Sequence, residues 1–247
     1  MKCVITSAGY GTRLYPLTLN QSKSLLLVKG KPILNYIIEK IDKIKEVDSI
    51  YITSNNKFYT NFSWWLLNNQ KNFSKPIEIV DELSTAPENQ KGGIFGCMTV
   101  LNQFNIDDDL LILYGDNLFE LDLQNFVDFF NKKRSTCLAC YKLKSLEEAK
   151  KFGNVEIDSE NKIIEIKEKP EKPKSDLSIT GIYAVKKQDI SKLRDYYQML
   201  EKTNQLNPSS NLTFFIEQIY KKQDVYAFPF SGQWADIGTL EDYEKVK

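Results

Sequence analysis

The stretch "VITSAGYGTRLYPLT", residues 4–18, sets an apolar run directly before a loop that carries Gly9, Gly11 and Arg13. Bare backbone and a fixed positive charge at the end of a first strand suit a phosphorylated ligand, since main-chain N–H groups reach phosphate oxygens best where no side chain intervenes. Dinucleotides and nucleoside triphosphates both use such turns. A dinucleotide site needs a third glycine opening the first helix and an acidic residue about 20 positions further on to hold the ribose. Leu14 stands where that glycine belongs, and the second strand, "SIYITSN" (49–55), ends in Thr53 and Ser54 with no carboxylate at its tip. Both features argue against a nicotinamide or flavin site. A Walker-type loop ending in lysine is also missing. On these residues alone two readings stay open, a phosphate loop backed by Arg13 and an ordinary strand-to-helix turn with a surface arginine.

Outward from this loop the chain alternates. "PILNYIIEKIDKI" (32–44) repeats apolar residues at helical spacing, at Ile33, Leu34, Ile37, Ile38, Ile41 and Ile44. "NFSWWLLNNQ" (61–70) and "IFGCMTVLNQF" (94–104) continue the helices, "IEIV" (77–80) is a strand, and a polar loop joins it to Gly93. "DLLILYGDN" (109–117) is apolar enough for the buried middle of a parallel sheet. The pattern predicts a doubly wound α/β core, mostly parallel. Beyond the helix "LQNFVDFFNKK" (123–133) the texture changes, and "STCLACYKL", "GNVEID", "IIEIKEKPEKPK" and "LSITGIYAV" read as strands with little helix between them. They predict a mixed sheet overall, with a small mixed or antiparallel patch beside the core, around 153–185. Two helices at 189–200 and 212–222 and a strand-and-turn segment at 225–239 complete the chain.

Composition narrows the chemistry. Thirty-three basic and thirty-three acidic residues leave no net charge, so nothing steers nucleic acid or a membrane surface, and an anion site must be local. The N-terminus is too short in apolar residues for a signal peptide, and no stretch approaches the roughly 20 needed to span a bilayer. Cys137 and Cys140 form a CxxC inside a strand-like run with no second pair to complete a zinc site, which predicts buried structural thiols. There is no histidine, which removes the usual general base, the usual zinc ligand and every Ser-His or Cys-His pair. Any catalysis here must need no neutral-pH proton shuttle.

The motifs "AGYGTRLYPLT" and "SKSLLLVKGKPIL" (22–34) resemble the signature of the sugar-1-phosphate nucleotidyltransferases, the glucose-1-phosphate thymidylyltransferase-like enzymes among them. "YGDN" (114–117), "FGNVEID" (152–158), "IKEKPEKP" (166–173), "ITGIYAV" (179–185) and "WADIGTLEDY" (234–243) resemble later segments of that family, in order. The resemblance implies a Rossmann-like nucleotidyltransferase domain over 1–247, with a nucleotide-binding part at about 1–135 and a sugar-phosphate part at about 136–247. It implies attack of a sugar 1-phosphate on the α-phosphorus of a nucleoside triphosphate (dTTP, UTP or CTP), with release of pyrophosphate. A phosphate nucleophile is already ionised at neutral pH, which agrees with the lack of histidine. The obstacle is bringing anions together: two unit charges 4 Å apart repel by about 4 kcal/mol at an effective dielectric near 20.

By the same resemblance Arg13 and Lys23 are the catalytic cations. Ala8, Gly9, Gly11, Thr12, Gln90 and Gly93 bind nucleotide, and Gly153, Glu168, Lys169 and Gly181 bind sugar phosphate. Asp116 and Asp236 hold Mg²⁺, a cation that takes carboxylate, phosphate and water oxygens. Ser22 matches the branch that uses thymidine triphosphate, whereas Leu27 replaces the usual proline. The resemblance also implies a cytoplasmic enzyme that can form a homo-oligomer, and the close of the chain soon after "WADIGT" leads to the expectation of no appended domain. Two alternatives accompany it. "KSLLLVKGKP" (23–32) also resembles the phosphocholine cytidylyltransferases, where an aromatic cage would hold the quaternary ammonium. A noncatalytic ligand-sensing subunit on the same fold would be expected to have lost Arg13, Lys23 or a metal carboxylate.

Overall fold

The computed structural model describes residues 1–247. The strands are β1 (Lys2–Thr6), β2 (Leu27–Val28), β3 (Lys31–Pro32), β4 (Ser49–Ser54), β5 (Ile77–Asp81), β6 (Leu110–Tyr114), β7 (Asn117–Phe119), β8 (Cys137–Lys142), β9 (Gly153–Ile157), β10 (Ile163–Glu168), β11 (Leu177–Val185), β12 (Tyr226–Phe230) and β13 (Trp234–Asp236). The helices are α1 (Ile33–Ile41), α2 (Tyr59–Asn69), α3 (Gly93–Gln103), α4 (Leu123–Lys133), α5 (Leu146–Ala149), α6 (Ile190–Lys202), α7 (Leu212–Ile219) and α8 (Leu240–Val246).

One nine-stranded sheet runs through the molecule in the order β10-β9-β11-β6-β1-β4-β5, with β8 and β12 branching from β11. β5, β4, β1 and β6 are parallel. Each of these strands alternates its side chains between two cores. Cys3, Ile5, Leu111 and Leu113 face α1, α2 and α4, while Val4, Leu110 and Ile112 face α3, α6 and α7. On α1 the predicted stripe is buried from Ile33 to Ile41, and each of its aliphatic side chains contributes about 1.5–3 kcal/mol. Cys137 and Cys140 are free, buried, and on opposite faces of β8, so the CxxC is a pair of core thiols.

The chain leaves β1 for β4 and β5 on one side, then crosses back to place β6 on the other side of β1. That reversal opens a crevice at the carboxyl ends of β1 and β6, where the ligand of an open α/β sheet binds. The antiparallel strands continue the parallel ones in one mixed sheet, because β11 pairs antiparallel with β6. β11 bears a bulge between Ile179 and Tyr183, and Gly181 sits within it at φ +73. The bulge turns the edge of β11 from β6 to β9, and the antiparallel wall thereby meets the crevice. No helix is long and apolar enough to cross a membrane.

Candidate active site

After β1 no α-helix begins. Gly11 adopts φ +62, and the chain makes a single 3₁₀ turn, Thr12–Leu14, with Leu14 fully buried beneath it. The missing third glycine is therefore occupied by a core anchor. The loop is braced from both sides. Asn55, just past β4, donates to Ala8 O at 2.8 Å, and the Tyr10 hydroxyl donates to Ser84 O at 2.9 Å. Thr18 donates to Gly11 O at 2.7 Å. Gln90 lies over Gly9, where a Cβ would meet its Nε2 at 3.7 Å.

Across the crevice, β6 delivers Asp116 through a turn that only glycine permits. A Cβ on Gly115 would stand 1.9 Å from Ser7 Oγ. Lys23 Nζ meets Asp116 Oδ2 at 2.5 Å, while Asp116 Oδ1 accepts from Asn117 Nδ2 at 2.8 Å. Asn117 Oδ1 in turn accepts from Trp234 Nε1 at 2.8 Å. The short ribbon β7–β13 pairs Asn117 with Asp236, which brings the second carboxylate beside the first. Asp236 is exposed at the cleft wall, with protein atoms crowded around its carboxyl. The loss of surrounding water and the neighbouring Asp116 charge push its carboxyl up to about 6, against the pull of Lys23 and Arg13.

Arg13, Asp116 and Asp236 line one cavity of about 880 Å³ together with Gly153, Glu168, Lys169 and Gly181. The cavity thus joins the loop of residue 13 to the antiparallel wall. Lys169 takes the left-handed conformation at φ +43, and its Nζ lies 3.9 Å from Glu168. Each wall glycine has a specific neighbour. A Cβ on Gly153 would come 2.9 Å from Glu168 Oε2, and one on Gly181 would come 2.6 Å from the Tyr114 ring. Ala8, Gly9, Gly11, Thr12, Gln90 and Gly93 do not line this cavity. They form the adjoining loop region, and Gly93 touches the other edge of the Tyr114 ring.

Among the cavity residues that sequence reasoning did not single out are Asn117, Tyr114, Phe152 and Tyr141. Asn117 orients Asp116, and the Tyr114 ring lies between Gly93 and Gly181, its hydroxyl accepting from Leu212 N at 3.1 Å. Phe152 and Tyr141 pack against Trp234, with ring centres 5.1 and 5.5 Å apart, and make an aromatic wall. Asn117 adjoins the "GD" pair and was legible there, whereas an aromatic cluster drawn from β8, β13 and the turn before β9 has no linear signal. Of the other aromatic residues a cage would draw on, Trp65 is buried against Asn35 and Tyr183 bonds Thr213 in the core, while Trp64 is exposed on α2.

No group of three or more Asp, Glu, Cys or His converges anywhere in the chain. Asp116 and Asp236 therefore offer a cation two carboxylates and leave its remaining positions to other oxygens, which suits a hard ion that retains water and substrate phosphates. Zinc, which favours nitrogen and sulfur, has no donors here.

The family model for nucleotidyl transferases matches residues 2–247. The bifunctional protein GlmU of Methanocaldococcus jannaschii is 34% identical over 244 residues, covering 96% of this chain and 51% of that protein. A glucose-1-phosphate adenylyltransferase of Fervidobacterium nodosum is 30% identical over 259 residues, covering 97% of this chain and 59% of that protein. This chain thus spans about half the length of the curated relatives it matches. Among solved structures, a Bacillus anthracis protein described as a glucose-1-phosphate thymidylyltransferase superposes with a TM-score of 0.83 at 25% identity, covering 100% of this chain and 93% of that one. A cleft where Arg13, the lysine-paired Asp116 and Asp236 meet, within a sequence matched almost from end to end, assigns the chain to the nucleotidyl transferase family.

Proposed function

We propose that this chain transfers a nucleotidyl group from a nucleoside triphosphate to a sugar 1-phosphate, releasing pyrophosphate and forming a nucleotide sugar. The observation that carries this reading is the single cleft shared by Arg13, Asp116 and Asp236 on one side and Gly153, Glu168, Lys169 and Gly181 on the other. In the reaction an oxygen of the sugar phosphate bonds to the α-phosphorus, and the bond from that phosphorus to the bridging oxygen of the β-phosphate breaks. No proton has to move, in keeping with a chain that contains no histidine.

Arg13 holds the triphosphate and offsets charge at the α-phosphorus, a task its planar fork of donors suits better than a lysine would. Lys23, fixed by Asp116, adds a second positive charge on the nucleotide side. Lys169 takes the phosphate of the acceptor, and Glu168 accepts hydrogen bonds from its hydroxyls. Asp116 and Asp236 would hold Mg²⁺, which supplies charge neutralisation and Lewis acidity when bound. Most of the rate enhancement then comes from positioning and preorganised charge.

Retention of Arg13, Asp116 and Asp236 in one cleft, with Lys23 paired to Asp116, favours an enzyme over a ligand-sensing subunit. The deciding experiment is a matrix of dTTP, UTP, CTP, ATP and GTP against several sugar 1-phosphates and phosphocholine, read by pyrophosphate release with magnesium. The purines belong in it because one relative is named as an adenylyltransferase. Release with phosphocholine alone would replace the sugar acceptor by a phosphorylated alcohol, and no release with any pair would overturn the catalytic reading.

A further inference from the structure

An unbroken line of side-chain hydrogen bonds runs from the aromatic wall of the cleft to its charged residues. It starts at Trp234, whose ring packs against Phe152 and Tyr141. The indole Nε1–H donates to Asn117 Oδ1 at 2.8 Å. Asn117 Nδ2 donates to Asp116 Oδ1 at 2.8 Å, and Asp116 Oδ2 accepts from Lys23 Nζ at 2.5 Å. Trp234, Asn117 and Asp116 all line the one cavity.

The chemistry of this line allows a single direction. An indole N–H only donates, so the carboxamide oxygen of Asn117 must face Trp234 and its NH₂ must face Asp116. Trp234 therefore decides which end of the amide the carboxylate meets. A reversed amide would set oxygen against oxygen at Asp116 and leave the indole unpaired. Asn117 is 3% exposed, which makes the loss of either partner costly. The backbone around the line is held at both ends of the β7–β13 ribbon. Ile237 N donates to Asp116 O at 3.1 Å, while Glu120 N donates to Gln233 O and Gln233 N to Glu120 Oε2, each at 2.9 Å.

Resting on the function proposed above, we infer that Asn117 is a positioning residue that carries the orientation of Trp234 to the Asp116 carboxylate and, through it, to the Lys23 ammonium. A carboxylate gripped at one oxygen by an amide and at the other by a lysine is held in one orientation, as preorganised charge requires. The wall that Trp234 shares with Phe152 and Tyr141 thereby helps to aim the carboxylate that would hold Mg²⁺. Without the indole donor the amide is free to turn, and Asp116 loses the bond that fixes its Oδ1. Trp234 and Asn117 act in series, so removing both should cost no more than removing one.

A double-mutant cycle tests this in wild type, Trp234→Phe, Asn117→Ser and the double variant. Phenylalanine keeps an aromatic ring in the wall but has no Nε1–H, and serine is too short to bridge the indole and the carboxylate. The first readout is binding of Mn²⁺ alone, an ion that takes oxygen ligands as Mg²⁺ does, followed by the EPR signal of the free ion. Each single variant should weaken it about ten-fold, and the double variant no more than the weaker single one. The second is kcat for pyrophosphate release, which should fall about ten-fold in each single variant and no further in the double, with nucleotide KM changing less than kcat. Additive losses, unchanged Mn²⁺ affinity in either single variant, or no Mn²⁺ binding in wild type would overturn the inference even if the enzyme turns over normally. Non-additive Mn²⁺ losses in a protein that releases no pyrophosphate would sustain the role of Asn117 and defeat the functional reading instead.

Discussion

Lys23 and Asp116, 93 residues apart in sequence, form an ion pair of 2.5 Å at the mouth of the cleft, and both side chains are largely enclosed. The pair brings an ammonium and a carboxylate together at the same crevice. Truncating one partner leaves the other charge without its counterion in a poorly hydrated site. Lys23→Ala should lower pyrophosphate release by about 10²–10³-fold. It should also raise the Asp236 carboxyl further, since Lys23 is one of the charges holding it down. Steady-state assays and titration of Asp236 by carboxyl NMR check both outcomes.

Arg13 lies beside Gly238, where a Cβ would come 3.5 Å from its Nη2, so the guanidinium rests against bare backbone. Arg13→Ala should cut kcat by about 10²–10³-fold with little change in unfolding midpoint. Arg13→Lys should recover only part of this, because an ammonium cannot reproduce the planar fork. Near-normal turnover in the alanine variant would remove Arg13 from the catalytic set.

For Asp236 the sign of the pH effect is set by an acid whose folded pKa, about 6, lies above its ordinary value of 3.8. The folded state therefore binds more protons than the unfolded chain between these values, and stability falls as pH rises through that window. Asp236→Asn in the presence of a chelator should raise the melting temperature above pH 6 and leave it nearly unchanged below pH 4. The same variant should abolish magnesium-dependent turnover. Identical melting profiles would mean that the two carboxylates do not oppose one another.

Gly181 combines φ +73 with a Cβ position 2.6 Å from the Tyr114 ring. Gly181→Ala should cost about 1–3 kcal/mol of stability in urea unfolding. It should also displace Tyr114 toward the cavity, raising the KM for the acceptor more than that for the nucleotide. Equal effects on both substrates would show that Tyr114 does not divide the site.

Lys169 projects from the end of β10 in a left-handed conformation beside Glu168. Lys169→Ala should raise the acceptor KM about ten-fold with little effect on nucleotide KM, in line with loss of one charge-assisted contact. Lys169→Gly, which suits the backbone, should behave the same way. If only the glycine variant kept activity, the backbone angle rather than the charge would be what matters at this position.

Much of the fold was legible because the information is periodic. The stripe on α1 and the apolar runs of β1 and β6 announce themselves by spacing, and the structure buries them as expected. Arg13, Lys23 and both aspartates were legible as motif positions; Arg13, Asp116 and Asp236 line one cavity, and Lys23 reaches it through its ion pair with Asp116. The ribbon β7–β13 was not, because three-residue strands 117 positions apart leave no pattern, yet it is what sets Asp236 beside Asn117. The bulge that joins the antiparallel wall to the parallel core was equally hidden, since Gly181 reads in sequence as one more turn glycine.

From composition and order alone, this chain is committed to an α/β sheet, to chemistry without histidine, and to cations near its first loop. These follow from residue type and local spacing, which act over a few residues. The tertiary structure decided which charges face which: that Lys23 pairs with Asp116, and that Asp236 is pushed toward neutrality. Such outcomes depend on distance and dielectric across strands far apart in the chain, quantities that exist only once the sheet has formed.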